Sequence, residues 1–350
     1  MSAVRRPLDA RKLTLWLVSL LALELLIALL ALGYGSSTLT PSKIITSLLS
    51  AESDPGVSAI LWQARMPRVW FAAIVGGALA MGGVVFQSVL RNPLADPYVL
   101  GISGGAALTT TLFLATGLGA MLPAMIGPPA MAILGAAITM VLLFGARRVL
   151  APGRQGAYAL LLMGVVFNAF ASALITFVKA IVDARKAQEL LFYLMGSLSV
   201  EGVGVNVMVF ASVAVMLVLA GLWAMSSDLN VMSLGEDEAR ALGVDTKRVM
   251  WASVALASTG VAIAVAYTGL IGFVGLVIPH ALRLIMGPDH RLLIPASALG
   301  GAAFLTGCDL LARVSFELFS TTLPVGVITS LLGAPIFAWL LLRSAKRGFV

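Results

Sequence analysis

Cysteine occurs once in these 350 residues, at Cys308, so an internal disulfide and a cysteine cluster for metal are both excluded. Histidine is nearly as scarce. His280 and His290 are the two, and neither stands at metal-ligand spacing from another ligand. No G-x-x-x-x-G-K-S/T pattern occurs, so nothing here binds ATP in the P-loop manner, and any ATP-driven work needs another subunit. Charge is also sparse, at 11% of residues against 60% hydrophobic and a mean hydropathy of +1.02, which leaves too little polar surface for a soluble globule.

What is present is a series of apolar runs near 13–33, 68–90, 98–118, 124–146, 157–179, 203–225, 249–268, 270–287, 292–312 and 324–343. Each approaches the roughly 20 residues a helix needs to cross a bilayer. They predict an all-α polytopic membrane protein with about ten transmembrane helices in a single transmembrane domain spanning 1–350. A barrel is disfavoured because its strands would alternate. The first run follows Arg5, Arg6, Arg11 and Lys12 but is longer than a signal core and lacks a small-residue cleavage site at Gly33-Tyr34-Gly35, so it reads as a retained helix. An even number of crossings puts both termini on one side. If that side is cytoplasmic, sixteen of the 23 Lys and Arg residues lie in inner loops and tails, as the positive-inside rule requires. The net charge of +7 then reflects topology, and no nucleic-acid partner is implied.

One long polar interruption stands out, from Ser226 to Arg248, on the inner side of this topology. It carries eight charged residues. Ser233 and Glu236 have the spacing of a capping box, Gly243 can end a helix in the left-handed conformation, and Leu234, Ala239 and Leu242 are left as an apolar face. A capped, half-apolar helix there would suit a groove on a soluble partner, and a plain ordered connector is the alternative. On the outer side, 183–196 has helical spacing but is too short to span, and 317–327 suggests a second short helix before the last crossing, interrupted by Pro324, Gly326, Gly333 and Pro335. Tyr34–Pro67 is broken by Pro41 and Ser53-Asp54-Pro55-Gly56. Gly76-Gly77, Gly82-Gly83, Gly101, Gly105 and Gly300-Gly301 fit close helix packing.

Smaller motifs remain ambiguous. Gly101-Ile102-Ser103-Gly104-Gly105 matches G-x-S-x-G and, with His280, would make Ser103 the nucleophile of an intramembrane serine hydrolase; small residues at a helix start serve packing equally well. Arg91-Asn92-Pro93-Leu94-Ala95-Asp96-Pro97 is a rigid turn with an Asx-capable Asn92. Asp309 and Arg313 can pair at i, i+4. An ion-coupled secondary transporter would need intramembrane coupling charges, and away from helix ends mainly Glu24 is available.

Together, Arg65-Met66-Pro67-Arg68, Gln87 with Arg91–Pro97, Leu100–Ala106, Gly235-Glu236 through Leu242-Gly243-Val244, Gly272–His280 with Arg283, Asp289-His290-Arg291 and Leu323-Pro324-Val325-Gly326 resemble one family in order and spacing, over about residues 13 to 343. It is the FecCD-type permease subunit of the iron-siderophore, haem and cobalamin ABC importers. The resemblance implies a type II importer permease in the bacterial inner membrane, not an enzyme, working as a homodimer or with a close paralogue. It implies a cytoplasmic ABC ATPase dimer that holds ATP and Mg, no cofactor in this chain, and a soluble substrate-binding protein. It assigns ATPase coupling to Ser233, Leu234, Gly235, Glu236, Glu238, Ala239, Leu242 and Gly243, and binding-protein docking to Arg65, Arg68 and Arg313. The pathway would be lined by the fifth and tenth crossings, with Met163, Asn168, Ser172 and Thr176 facing it. Tyr193-Leu194-Met195-Gly196 departs from the family, which often has tryptophan near this glycine.

Overall fold

Lipid offers a backbone N–H or carbonyl no partner, so apolar runs of spanning length fold as helices that satisfy themselves. The computed structural model describes residues 10–35, 55–117, 122–123, 125–150, 155–198 and 204–346, and no strand occurs among them. In chain order the helices are α1 (Ala10–Gly33), α2 (Pro55–Ala59), α3 (Met66–Val89), α4 (Ile102–Ala115), α5 (Gly127–Leu150), α6 (Gln155–Ile181), α7 (Ala184–Leu194), α8 (Val205–Ala224), α9 (Ser226–Met232), α10 (Glu236–Ala241), α11 (Thr246–Thr268), α12 (Val274–Met286), α13 (His290–Val314), α14 (Phe316–Phe319) and α15 (Val325–Lys346). A single π-helical turn, Ile60–Arg65, joins α2 to α3. Eight helices, α1, α3, α5, α6, α8, α11, α13 and α15, are long and apolar enough to cross a membrane. The shorter apolar helices α4 and α12 complete the ten runs expected from the sequence.

The core is built around α3, which is buried without interruption from Val75 to Gln87 and packs against α11, α12 and α13. Glycine makes that approach possible. A Cβ on Gly76 would stand 2.2 Å from the Gly301 carbonyl oxygen, and one on Gly83 would stand 1.8 Å from that of Gly275, distances no side chain tolerates. The glycine pairs of the sequence therefore mark contacts in which backbones touch, with dispersion as the attraction, since lipid is as apolar as the helices themselves.

Of the three prolines inside helices, Pro279 and Pro295 each strand a carbonyl that a neighbouring helix then covers, because proline has no N–H to donate to the residue four positions back. Pro279 leaves Gly275 in this state, and Gln87 Nε2 from α3 donates there at 3.3 Å and to the Leu276 oxygen at 3.2 Å. Pro295 leaves Arg291, and Trp223 Nε1 from α8 donates to its oxygen at 3.1 Å.

Two expectations need correction. The short helix before the last crossing is only Phe316–Phe319, closed by Ser320 in the left-handed region at φ 55°, not an element reaching 327. Pro335 lies within α15 without ending it. The breaks expected at Pro41 and at 53–54 lie outside the described residues. The segment at 183–196 is the helix α7, capped by Asp183, which accepts from the Lys186 N–H at 3.0 Å, and seated through buried Leu190.

Gly83→Ala should force α3 off α12 and destabilise the chain by roughly 1–3 kcal/mol, the usual cost of overpacking. Gly145→Ala, where an added Cβ meets nothing within 4 Å, is the control. Thermal unfolding in detergent should show a lowered midpoint for the first variant only.

Candidate functional site

The 226–248 segment folds as two short helices set at one end of the bundle. α9 buries Ser226 and Leu229, while α10 places Glu236, Asp237 and Glu238 in its first turn, where the helix dipole favours negative charge. Arg240 pairs with Glu236 at 2.8 Å and Asp237 at 3.1 Å. The helix closes as the sequence predicts: Gly243 adopts φ 83°, its N–H donates to the Arg240 oxygen at 3.0 Å, and the Val244 N–H reaches the Ala239 oxygen at 3.0 Å. The capping box does not form. Ser233 instead terminates α9, its hydroxyl donating to the Asn230 oxygen at 2.7 Å, and Gly235 stands at the N-cap of α10 with no side-chain bond. Nor do the three apolar residues share a face. Ala239 is buried against the body, whereas Leu234 and Leu242 are 60% and 65% exposed and point away from it. Glu238 lies exposed, with its carboxylate folded over Gly235.

The neighbouring turn supports this segment. Arg91 takes a left-handed conformation at φ 48° and donates through Nη2 to the Met232 oxygen at 3.1 Å, which ties α9 to the end of α3. Asn92 forms the expected Asx turn, accepting from the Leu94 N–H at 2.8 Å. Asp96 does not pair with Arg91 but is buried, accepting from the Tyr98 N–H at 2.7 Å. Burial pushes its carboxyl up to about 6, against the opposing pull of the Tyr98 and Val99 N–H groups.

At the opposite end, Arg65, Arg68 and Arg313 converge. Asp309 accepts from Arg68 Nε at 2.8 Å and, as the i, i+4 spacing predicts, from Arg313 Nε at 3.0 Å. Arg313 also donates to the Ala31 oxygen at 2.8 Å, and Arg65 donates to the Leu32 and Gly33 oxygens at 2.5 and 2.9 Å. Two guanidinium groups thus cap the C-terminus of α1, where the last carbonyls lack intrahelical partners and the dipole is negative. Arg65 and Arg313 are buried, and Arg68 keeps 22% of its side chain exposed.

Along α6, Ser172 and Thr176 are exposed, with the Thr176 hydroxyl donating to the Ser172 oxygen at 2.8 Å. Met163 and Asn168 turn toward the protein instead. Met163 packs on the core, and Asn168 Nδ2 donates to the Tyr98 oxygen at 2.7 Å and to that of Val99 at 3.3 Å. Ser103 is buried in the first turn of α4, and His280 lies edge-on against Phe337 with no hydrogen-bond partner at Nε2, so the two form no nucleophile–base pair. Glu24 is buried against α13, where Oε1 accepts from the Thr306 hydroxyl at 3.2 Å. No group of three metal-ligating side chains occurs among the described residues.

Sequence reasoning missed the polar knot between these elements at the α9 end. Asn230 of α9 donates through Nδ2 to Asp289 at 2.8 Å and accepts at Oδ1 from the His290 backbone N–H at 2.8 Å, with His290 Nδ1 2.7 Å from the same oxygen. The other ring nitrogen contacts the Ser88 hydroxyl of α3. Asp289 caps α13 through the Arg291 N–H at 3.0 Å and holds the Arg291 guanidinium at 2.7 Å. Partial burial alone would raise the Asp289 carboxyl, but the bonds from the Arg291 side chain, the Asn230 amide and the Arg291 N–H outweigh it and hold the group below its ordinary range.

The sequence profile of the FecCD transport family matches residues 22–343. The vitamin B12 import system permease protein BtuC of Klebsiella pneumoniae is 38% identical over 345 residues, covering 97% of each chain. The uncharacterized ABC transporter permease protein YvrB of Bacillus subtilis is 41% identical over 303 residues, covering 84% of this chain and 82% of its own. A solved inward-facing structure assigned to the metal-chelate type of ABC transporter superposes with a TM-score of 0.79 at 32% identity, covering 93% of this chain and 98% of that one.

Asp309→Asn should leave the facing guanidinium groups without their counter-charge and cost about 3 kcal/mol, within the range for breaking one side of a buried ion pair. A lowered unfolding midpoint and poor recovery from the membrane are the expected readouts. Asp96 gives a pH signature of opposite sign to the usual carboxylate. Its folded pKa of about 6 lies above the ordinary 3.8, so between these values the folded chain binds the extra proton, and stability falls as pH rises through that window. Asp96→Asn should remove this slope, so the midpoint difference between variant and wild type should grow from pH 4 to pH 6 and then level off.

Proposed function

Because this chain belongs to the FecCD transport family, we propose that it forms the membrane path by which cobalamin or a chemically similar metal chelate enters the cell. It is the permease subunit of an ABC importer, a multi-pass inner-membrane protein and not an enzyme, with ATP hydrolysed by a separate ATPase. The observation that carries this reading is the likeness of the whole ten-helix chain to an ABC transporter of the metal-chelate type, at 32% identity over 93% of its length.

The finer assignments rest on the geometry. Two copies would form the path, with Ser172 and Thr176 of α6 as its polar lining and the short helices α7 and α14 at its mouth. Exposed Leu234 and Leu242 would enter a groove of the cytoplasmic ATPase, the pair that binds ATP and Mg, while α10 with its closed C-terminus keeps them in register. Their end of the bundle also carries Arg91, Arg240, Lys247, Arg248, Arg283 and Arg291, which favours the cytoplasmic side for it and for both termini. Of the three arginines at the opposite end, Arg68 is the one with surface left for an acidic residue of the soluble binding protein, since Arg65 and Arg313 are engaged in holding α1.

Mass measurement of the intact detergent complex should find two copies of this chain with two ATPase chains. Leu242→Asp should insert and fold as the wild type does, because the side chain touches little of its own protein, but should lose the ATPase on purification. Retention of the ATPase by that variant, with unimpaired uptake of cyanocobalamin by wild-type proteoliposomes, would move the contact to another inner loop.

A further inference from the structure

We propose that Asn230 is a positioning residue that makes the α9–α10 segment and helix α13 move as one body. The proposal rests on the reading of 226–248 as the ATPase contact. A helix N-terminus leaves its first N–H groups without intrahelical partners and usually finds them within its own chain neighbourhood. In α13 the work is divided: Asp289 takes the Arg291 N–H, but the His290 N–H is taken by Asn230, which belongs to another helix. The identity of the amide atoms follows from the partners. Nδ2 must face the Asp289 carboxylate, an acceptor, so Oδ1 faces the His290 N–H, and His290 Nδ1 must then carry a proton toward that same oxygen. Nε2, then unprotonated, accepts from the Ser88 hydroxyl on α3, whose single proton is thereby turned away from its other acceptor, the Val84 oxygen. One amide therefore joins α9 to the backbone of α13 and, through the imidazole, to α3, with both its oxygen and its nitrogen engaged.

The surroundings favour rigidity over a hinge. Leu229, next to Asn230, is 1% exposed, and Arg91 ties the last residue of α9 to the end of α3. The Arg291 oxygen is held by Trp223 of α8, which leads directly into α9. A displacement applied at Leu234 and Leu242 is thereby delivered to α13 and α3, the most extensively packed pair in the molecule, and α13 also packs on α15. The short loops at Met225 and at Ser233–Gly235 would otherwise absorb it.

Spin labels at Asp237, whose side chain is 95% exposed, and at Leu311 on the exposed side of α13 test this in the full complex, in a Cys308→Ser background. On ATP binding the distance between these two labels should stay constant in one chain of the wild type, while the distance between the two Asp237 labels of the dimer changes. In Asn230→Ala the first distance should change or broaden, and cyanocobalamin moved per ATP hydrolysed should fall about tenfold, the loss expected when two or three hydrogen bonds no longer hold the joint. Asn230→Asp, which keeps the acceptor for the His290 N–H but opposes Asp289, should fall between. A merely structural role would lower yield and ATPase association without altering transport per ATP. A wild-type distance that shifts with ATP, or an Asn230→Ala complex with unchanged distance and unchanged coupling, would overturn the inference. Failure of the wild type to transport cyanocobalamin would count against the proposed substrate class, and the spin-label distances would still decide the inference.

Discussion

Carbonyl oxygens without an intrahelical partner are the constraint on which this structure turns. In lipid each such oxygen costs several kcal/mol if it is left alone. The fold contains them at helix C-termini and where proline interrupts a ladder, and at several of these places a polar side chain is deployed against them. Gln87 covers Gly275, Trp223 covers Arg291 and Asn168 reaches Val99, while Tyr193 adds a second donor to the Val265 oxygen already bonded by the Gly269 N–H. Arg65 and Arg313 do the same for α1 with charge added. Residues that would read individually as pathway or docking candidates are in several cases the price of irregular backbone inside a membrane.

This division has a mechanical result. Several irregular places are also where helices are cross-tied, because the side-chain donors of Gln87, Trp223 and Arg65 come from another element. At the Asp309 end, α1, α3 and α13 are drawn together by one carboxylate and three guanidinium groups, so that corner is stiff. At the α9 end, Asn230, His290, Ser88, Asp289 and Arg91 bind α3, α9 and α13. Between them the glycine contacts of α3 with α12 and α13 leave no slack for sliding, since any shift brings backbone into backbone. The outer faces of α6 and α15, by contrast, expose Phe170, Phe177, Leu331 and Trp339, which suits elements that meet lipid.

Much of the architecture was legible in the chain. Ten apolar runs became ten helices within a few residues of the expected bounds, because helix formation in lipid is dictated by local composition and length. Gly243 closed α10, Asn92 made its Asx turn, and Asp309 paired with Arg313, all contacts within four residues that spacing alone can specify. The glycine pairs announced close approach, although which backbones they meet is a tertiary fact. Ser233 shows the limit of a local motif: its spacing to Glu236 suits a capping box, but the preceding turn was already helical, so its hydroxyl bonds backward to Asn230 and the cap passes to Gly235.

Composition and periodicity alone therefore determined that this is an all-helical membrane protein, where its ten apolar runs lie, and that 226–248 is a polar interruption between two of them. Only the tertiary structure decided the use of its scarce polar residues. Asn230 reaches His290 across 60 positions, Gln87 reaches Gly275 across 188, and Arg65 reaches Leu32 across 33. No local pattern encodes such pairs, because the need they answer, an orphaned donor or acceptor on a distant segment, exists only once the helices have been packed.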